Sequence, residues 1–305
     1  MHHGDVAVCD ENGGIVAWAG DPKRGAFGRS SLKPIQAAVS LQAIGEELSD
    51  REVAVMSGSH TGEPVHVETV ARILGRAGLE FTALRTPPDW PLDRATVVAE
   101  PRPEYHNCSG KHAGMLLASS KNGWDLETYP SADHPVQSRI RAAVLELSGA
   151  AETAPGVDGC GLPVYALSLA ELATMYARLV RPGHVAPLRD HLCRVTGAML
   201  AEPYLVGGRG RTATAVMRAC PSVVVKGGAE GLVCAGSVET GLGIAVKIRD
   251  GAARAAGPAL IHVLRSLDLI DRDDLEALNN EAQPLVLGGG RPVGSLIADV
   301  PLERP

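Results

Sequence analysis

Arg29-Ser30-Ser31-Leu32-Lys33-Pro34 runs directly into an Ala-rich stretch whose apolar positions include Ile35, Val39, Leu41 and Ile44. That pattern predicts a helix over 34–44, with Pro34 in the first turn, where its missing N–H leaves no bond unmade. Ser30 then sits just before the helix and Lys33 at its start, close enough for hydroxyl and amine to meet. A serine hydroxyl is a poor nucleophile at neutral pH and needs a base beside it. Lysine can be that base only when neutral, so its pKa must fall from about 10.4 through burial or nearby positive charge. Arg29 and the helix N-terminus both supply such charge. Taken alone, Ser-x-x-Lys also fits a helix cap followed by a surface lysine. What accompanies it decides between the two.

Downstream, Glu52 to Met56 is a short apolar run, strand or helix, ending in Ser57-Gly58-Ser59-His60-Thr61-Gly62. Six small or polar residues after an apolar run read as loop, by itself a plain turn, although loops that end an element often carry sites. His106-Asn107-Cys108-Ser109-Gly110-Lys111-His112 precedes a helical run from Met115 and concentrates two His, a Cys, a Ser and a Lys. Gly110 lets backbone approach closely at a helix N-terminus. Asp158-Gly159-Cys160-Gly161-Leu162-Pro163 is a second Gly-rich turn with a cysteine. Val223-Val224-Val225-Lys226-Gly227-Gly228-Ala229 reads as a buried strand ending, taken alone, in a surface lysine before a turn, although its glycines also leave room for a ligand along the strand edge. A second strand over 241–249 and a helix over 252–267 follow it.

Between these motifs the pattern predicts a β-hairpin, 5–9 with 15–19, and helices over 64–77, 134–147, 168–180 and 188–200. Cys193, inside the last of these, is expected in the core. Gly288-Gly289-Gly290 lacks the strand–helix context of a phosphate loop. The 305 residues are 45% hydrophobic and 21% charged, enough for a large core. We expect one domain over 1–305, built of one body or two lobes. A net charge of −6, no basic tract and 3% aromatics exclude a nucleic-acid surface. No apolar run approaches the roughly 18 residues that span a bilayer, and the N-terminus has no signal-peptide pattern. Six scattered cysteines without framework spacing point to free thiols in a reducing cytoplasm.

Ser-x-x-Lys opening an early helix, a small polar Ser-containing loop, and Lys-Gly-Gly on a late strand follow one another as in penicillin-recognising serine acyl enzymes. A closer resemblance covers Gly4 to about Leu264. Arg29-Ser30-x-x-Lys33-Pro34, Ser59-His60, Cys108-Ser109-Gly110-Lys111-His112, Asp158-Gly159-Cys160-x-Leu162-Pro163 and Lys226-x-Gly228-Ala229 together resemble the thermolabile, rhizobial-type L-asparaginase family. The resemblance implies an α/β (α+β) fold like serine β-lactamases and glutaminases, with an antiparallel sheet flanked by helices and a helical lobe. It implies hydrolysis of L-asparagine to L-aspartate and ammonia, in a homodimer. By matching position, Ser30 and Lys33 are the implied nucleophile and base, and Ser59 and Lys226 the second Ser–Lys pair. Cys108, Lys111 and Cys160 match a zinc-binding trio. Arg29, His60, His112 and Asp158 match positions at or beside the pocket, with Arg29 and Asp158 as candidate partners of the substrate's carboxylate and ammonium.

Two departures stand out. The resemblance leads one to expect a segment before the dipeptide matched by His3-Gly4, so either a truncated start or a shorter first strand edge is expected, and Tyr105 occupies a position where relatives can carry a cysteine. The metal assignment carries a cost: a ligating lysine must lose its proton, about 1.4 kcal/mol per pKa unit. Free thiols with a catalytic Lys111 are the alternative. The rival activities are those of a glutaminase, a β-lactamase-like peptidase or esterase, and a non-catalytic amino-acid or zinc-binding protein.

Overall fold

Gly4–Cys9 (β1) and Ile15–Ala19 (β2) form the expected hairpin, and β1 continues the sheet on its other side. The computed structural model describes residues 1–183 and 185–305. The remaining strands are Gly25–Phe27 (β3), Pro155–Val157 (β4), Pro163–Ser168 (β5), Val223–Gly227 (β6), Leu232–Ser237 (β7), Gly243–Ile248 (β8), Leu285–Gly288 (β9) and Arg291–Ser295 (β10). The main sheet has the order β2-β1-β8-β7-β6, antiparallel throughout. The helices are Lys33–Ile44 (α1), Asp50–Ser57 (α2), Pro64–Arg76 (α3), Ser109–Lys121 (α4), Pro135–Ser148 (α5), Leu169–Val180 (α6), Arg189–Ala201 (α7), Pro203–Val206 (α8), Thr212–Ala219 (α9), Ala253–Ser266 (α10), Arg272–Ala277 (α11) and Asn279–Ala282 (α12). This is the expected antiparallel sheet flanked by helices with a helical lobe.

Helices α6 and α10 both lie on the sheet. The central strands β7 and β8 are buried almost throughout, which is why they are apolar without strict alternation. Contact with α6 is made backbone to backbone. A Cβ at Gly243 would lie 1.9 Å from the Ala173 carbonyl oxygen, and one at Gly236 would lie 2.9 Å from the Tyr176 oxygen. In the lobe, α1 packs against α4, α5 and α7, and all but two of its residues are buried. Helix α2 settles the 52–56 ambiguity. Ser49 accepts from the Glu52 N–H while Glu52 bonds back to Ser49, a reciprocal cap that starts a helix and not a strand. The same pattern, Ser168 with Glu171, starts α6.

Two expectations are corrected. Cys193 is exposed, because α7 turns that face outward while Leu192, Val195 and Met199 face the core. Helix α4 begins at Ser109, so Gly110, Lys111 and His112 lie within its first turn. Gly289 and Gly290, both at positive φ, form the turn of the β9–β10 hairpin. Among the described residues no helix is long and apolar enough to cross a membrane.

Asp5, fully buried on β1, ties the sheet edge to two arginines. Arg249 donates to it through Nε and Nη2 (2.9 and 2.6 Å), Arg24 through Nε, and the Asp21 N–H at 2.8 Å. Burial works to raise its pKa, but these donors outweigh it and hold the carboxyl below its usual range. Asp5→Asn is expected to lower stability by about 2 kcal/mol at pH 7. A group whose folded pKa is depressed stabilises above its unfolded pKa and loses that contribution as pH falls through the folded value. The difference between variant and parent in urea midpoint should therefore shrink below about pH 4. A constant difference from pH 7 to 3 would contradict this.

Candidate active site

Three elements meet where α1 begins. The first residue of α1, Lys33, is 0% exposed, and the last lysine of β6, Lys226, is 2% exposed. Between them stands Ser59, on the loop that follows α2, its N–H bonded to the Val206 oxygen at 2.8 Å. Lys33 Nζ lies 2.8 Å from Ser59 Oγ, and Lys226 Nζ lies 2.8 Å from the same oxygen. Lys33 also donates to the Asn107 carbonyl (3.1 Å), and Lys226 to the Gly227 carbonyl (2.8 Å). Burial pulls the pKa of Lys33 down. For Lys226 burial together with the charges of Lys33 and Arg211 pulls it well below the usual range. A hydroxyl has one proton and two lone pairs. Held between two amines of weakened basicity, it can take a proton from one and give a proton to the other.

Ser30 occupies the 3₁₀ turn Arg29–Leu32 that leads into α1 and is half-buried. The expected meeting of its hydroxyl with Lys33 is not made here, because the lysine satisfies its buried amine on Ser59 and Asn107 instead. Arg29, just before it, has φ +48°, in the left-handed region that favours glycine. The turn is anchored by the Gly28 N–H, which donates to the Tyr165 oxygen of β5 (2.9 Å). Non-glycine residues held in that region cluster at functional sites.

Arg29 and Asp158 do not stand free. Arg29 Nε donates to Asp158 Oδ1 at 2.6 Å, and its Nη1 to Glu230 at 3.2 Å. Each therefore neutralises the other. His60 and His112 are each 0% exposed. His60 Nε2 faces Ser109 Oγ (3.0 Å), and its ring stacks on His66, which stacks on Tyr204. His112 Nδ1 faces the Tyr129 hydroxyl at 2.6 Å. Both rings support the site from behind and do not line its cavity.

The cysteine–lysine group is brought together from α4 and the loop after β4. Cys108 Sγ donates to Asn107 Oδ1 at 3.3 Å, and the neighbouring Cys160 thiol, with Lys33 and Lys111, holds the Cys108 thiol well below its usual pKa. The neighbouring Cys108, with burial, pushes the Cys160 thiol up. Burial disfavours charge on Lys111, but Cys108, Cys160 and the Asp158 carboxylate (4.0 Å) hold its pKa up. Among the described residues no three His, Cys, Asp or Glu side chains gather at metal-binding spacing. A metal here would depend on the Lys111 nitrogen. Two soft sulfurs and one nitrogen suit zinc once the lysine is neutral.

A cavity of about 300 Å³ opens against Ser59 and Lys226. Its other wall carries Arg211, which the reading of the sequence did not single out. The signal was present in Gly207-Gly208-Arg209-Gly210-Arg211, a glycine-rich basic loop opening a helix.

Fold and site together define an α/β protein whose polar centre is a buried serine shared by two lysines. The chain belongs to the L-asparaginase II family, whose sequence model matches residues 1–298. The family makes it an amidohydrolase. No curated protein matches the chain. Among solved structures it is similar to a β-lactamase from Mycobacterium bovis (18% identity, 92% of this chain and 95% of that chain, TM-score 0.42). It is also similar to a glutaminase from Bacillus (14%, 87% and 91%, TM-score 0.47). A probable glutaminase from Bacillus subtilis, solved with 6-diazo-5-oxo-L-norleucine, is likewise similar (14%, 88% and 84%, TM-score 0.41).

Proposed function

We propose that the protein hydrolyses L-asparagine to L-aspartate and ammonia through an ester on Ser30. The observation that carries this reading is Ser59 Oγ held at 2.8 Å by both Lys33 and Lys226. Ser59 is engaged on both sides, which suits a proton carrier, whereas Ser30 is half-buried beside Lys33 with its hydroxyl uncommitted. Neutral Lys33 accepts the Ser30 proton as the oxygen attacks the side-chain amide carbon. The C–N bond then breaks, and the nitrogen leaves as ammonia with a proton from Ser59 of the Ser59–Lys226 pair, which Lys33 replaces. Water, activated by the lysine left neutral, cleaves the ester and restores Ser30. Ammonia release from L-asparagine and L-glutamine, measured side by side, tests the reaction. Asparagine is expected as the faster substrate. Faster glutamine turnover would make this a glutaminase, and no ammonia from either amide would sink the amidase reading.

For the metal we propose zinc on Cys108, Lys111 and Cys160. When bound, such an ion supplies a fixed positive charge able to polarise a carbonyl oxygen. The two thiolates and the neutral amine would hold it, and Asp158 keeps the neighbouring Arg29 in place. About one zinc per chain is expected by elemental analysis of purified protein, and Cys108→Ser should lose it. A metal-free preparation with full turnover would remove zinc from the account.

A further inference from the structure

Arg29 is already engaged by Asp158 and Glu230, so another cation must meet the carboxylate that an amino-acid amide carries. Arg211 stands at the N-terminus of α9, across the 300 Å³ cavity from Ser59, Lys226 and Gly227-Gly228. That volume lies at the lower end for small-molecule pockets. Among the described residues the Arg211 side chain has neither an ion-pair nor a hydrogen-bond partner. Among the described residues no aspartate or glutamate lines the cavity, while Arg211 and Arg254 do. Arg254 already donates to His2 Nε2 (3.1 Å). The side chain of Arg211 is open to solvent at the mouth, yet enough protein surrounds the guanidinium to lower its pKa by desolvation. It stays charged regardless. The backbone at Thr212 and Ala213, where α9 begins without a side-chain cap, lies in the same wall. An anion is the neighbour these groups lack.

We propose that Arg211 is the receptor for the α-carboxylate of the amino-acid amide and thereby restricts the enzyme to substrates that carry one. This rests on the amidase reading above. Bidentate pairing of guanidinium with carboxylate fixes the distance from that group to the amide carbon. The substrate's reacting end then lies toward the Ser–Lys centre.

The test compares L-asparagine with 3-aminopropanamide, the same side-chain amide without the α-carboxylate. In Arg211→Gln the ratio of the two kcat/KM values is expected to fall roughly 30-fold, with the loss on asparagine in KM and not in kcat. Arg211→Lys should recover part of it, because charge remains while the bidentate fork is lost. An unchanged KM for asparagine would overturn the assignment and leave the amidase reading standing. Equal losses on both substrates, unrelieved in Arg211→Lys, would mark a structural role and also overturn it. Should the parent protein release no ammonia at all, the amidase reading fails, and L-asparagine becomes a stable probe for titration calorimetry. Binding weakened in Arg211→Gln then supports the carboxylate receptor. Equal binding by both proteins, or none by the parent, overturns it.

Discussion

Ser30→Ala is expected to reduce ammonia release from L-asparagine by about 10⁴-fold or more, with thermal unfolding within about 2 °C of the parent. The side chain is half-buried and bonds to nothing among the described residues, so its removal leaves no orphaned donor or acceptor. Ser59→Ala should behave differently in two ways. Turnover is expected to fall by about 10²- to 10³-fold, the range for losing a proton-transfer group. Stability should also fall, because two buried lysines lose a shared hydrogen-bond partner. Progress curves at matched protein concentration, beside melting curves, separate these effects. If Ser30→Ala keeps substantial turnover while Ser59→Ala abolishes it, the attacking hydroxyl is Ser59 and the roles of the two serines are reversed.

Gly243→Ala is expected to be severely destabilising. The added Cβ would lie 1.9 Å from the Ala173 oxygen and 2.4 Å from the Ala177 nitrogen. Both atoms are backbone of α6, so no rotamer change relieves the clash, and the helix must lift off the sheet. Overpacking usually costs about 1–3 kcal/mol when side chains can yield. Here they cannot, so a loss above about 4 kcal/mol is expected against a total of roughly 5–15 kcal/mol. Gly45→Ala is the contrast: its Cβ meets nothing within 4 Å, but φ is +66°, so only the backbone conformation opposes it. Soluble yield and urea midpoints of both variants decide the matter. A soluble Gly243→Ala protein within about 1 kcal/mol of the parent would mean that α6 and β8 do not approach as described.

Much of the architecture was legible locally. The β1–β2 hairpin is two short apolar runs around Glu11-Asn12-Gly13-Gly14, α3, α5 and α6 carry helical spacing with caps or proline at their starts, and α7 and α10 carry the spacing alone. Helix α2 was ambiguous because eight residues are too few to display a period, although the Ser49–Glu52 cap was there to be read. Strand β7 ends in Ala235-Gly236-Ser237, which has neither alternation nor branched side chains, so only its two neighbours in the sheet make it a strand. The exposure of Cys193 depends on which face of α7 meets α1 and α2, and a lone cysteine in a helix cannot reveal that.

For the site, residue types and spacing singled out the Ser30–Lys33 pair and the dense reactive segment 106–112, while the roles of Ser59, Lys226 and the Cys108–Lys111–Cys160 group came from the family resemblance. Only tertiary structure decided who meets whom. Lys33 turns to Ser59, 26 residues away, and not to Ser30 beside it, and Lys226 reaches the same oxygen across 167 residues. Arg29 closes on Asp158, and Arg211 is left without a partner facing the cavity. The physical reason is that propensity and periodicity act through bonds and neighbouring turns. A buried amine's pKa and partner depend on whatever the opposite element places within about 3 Å of it.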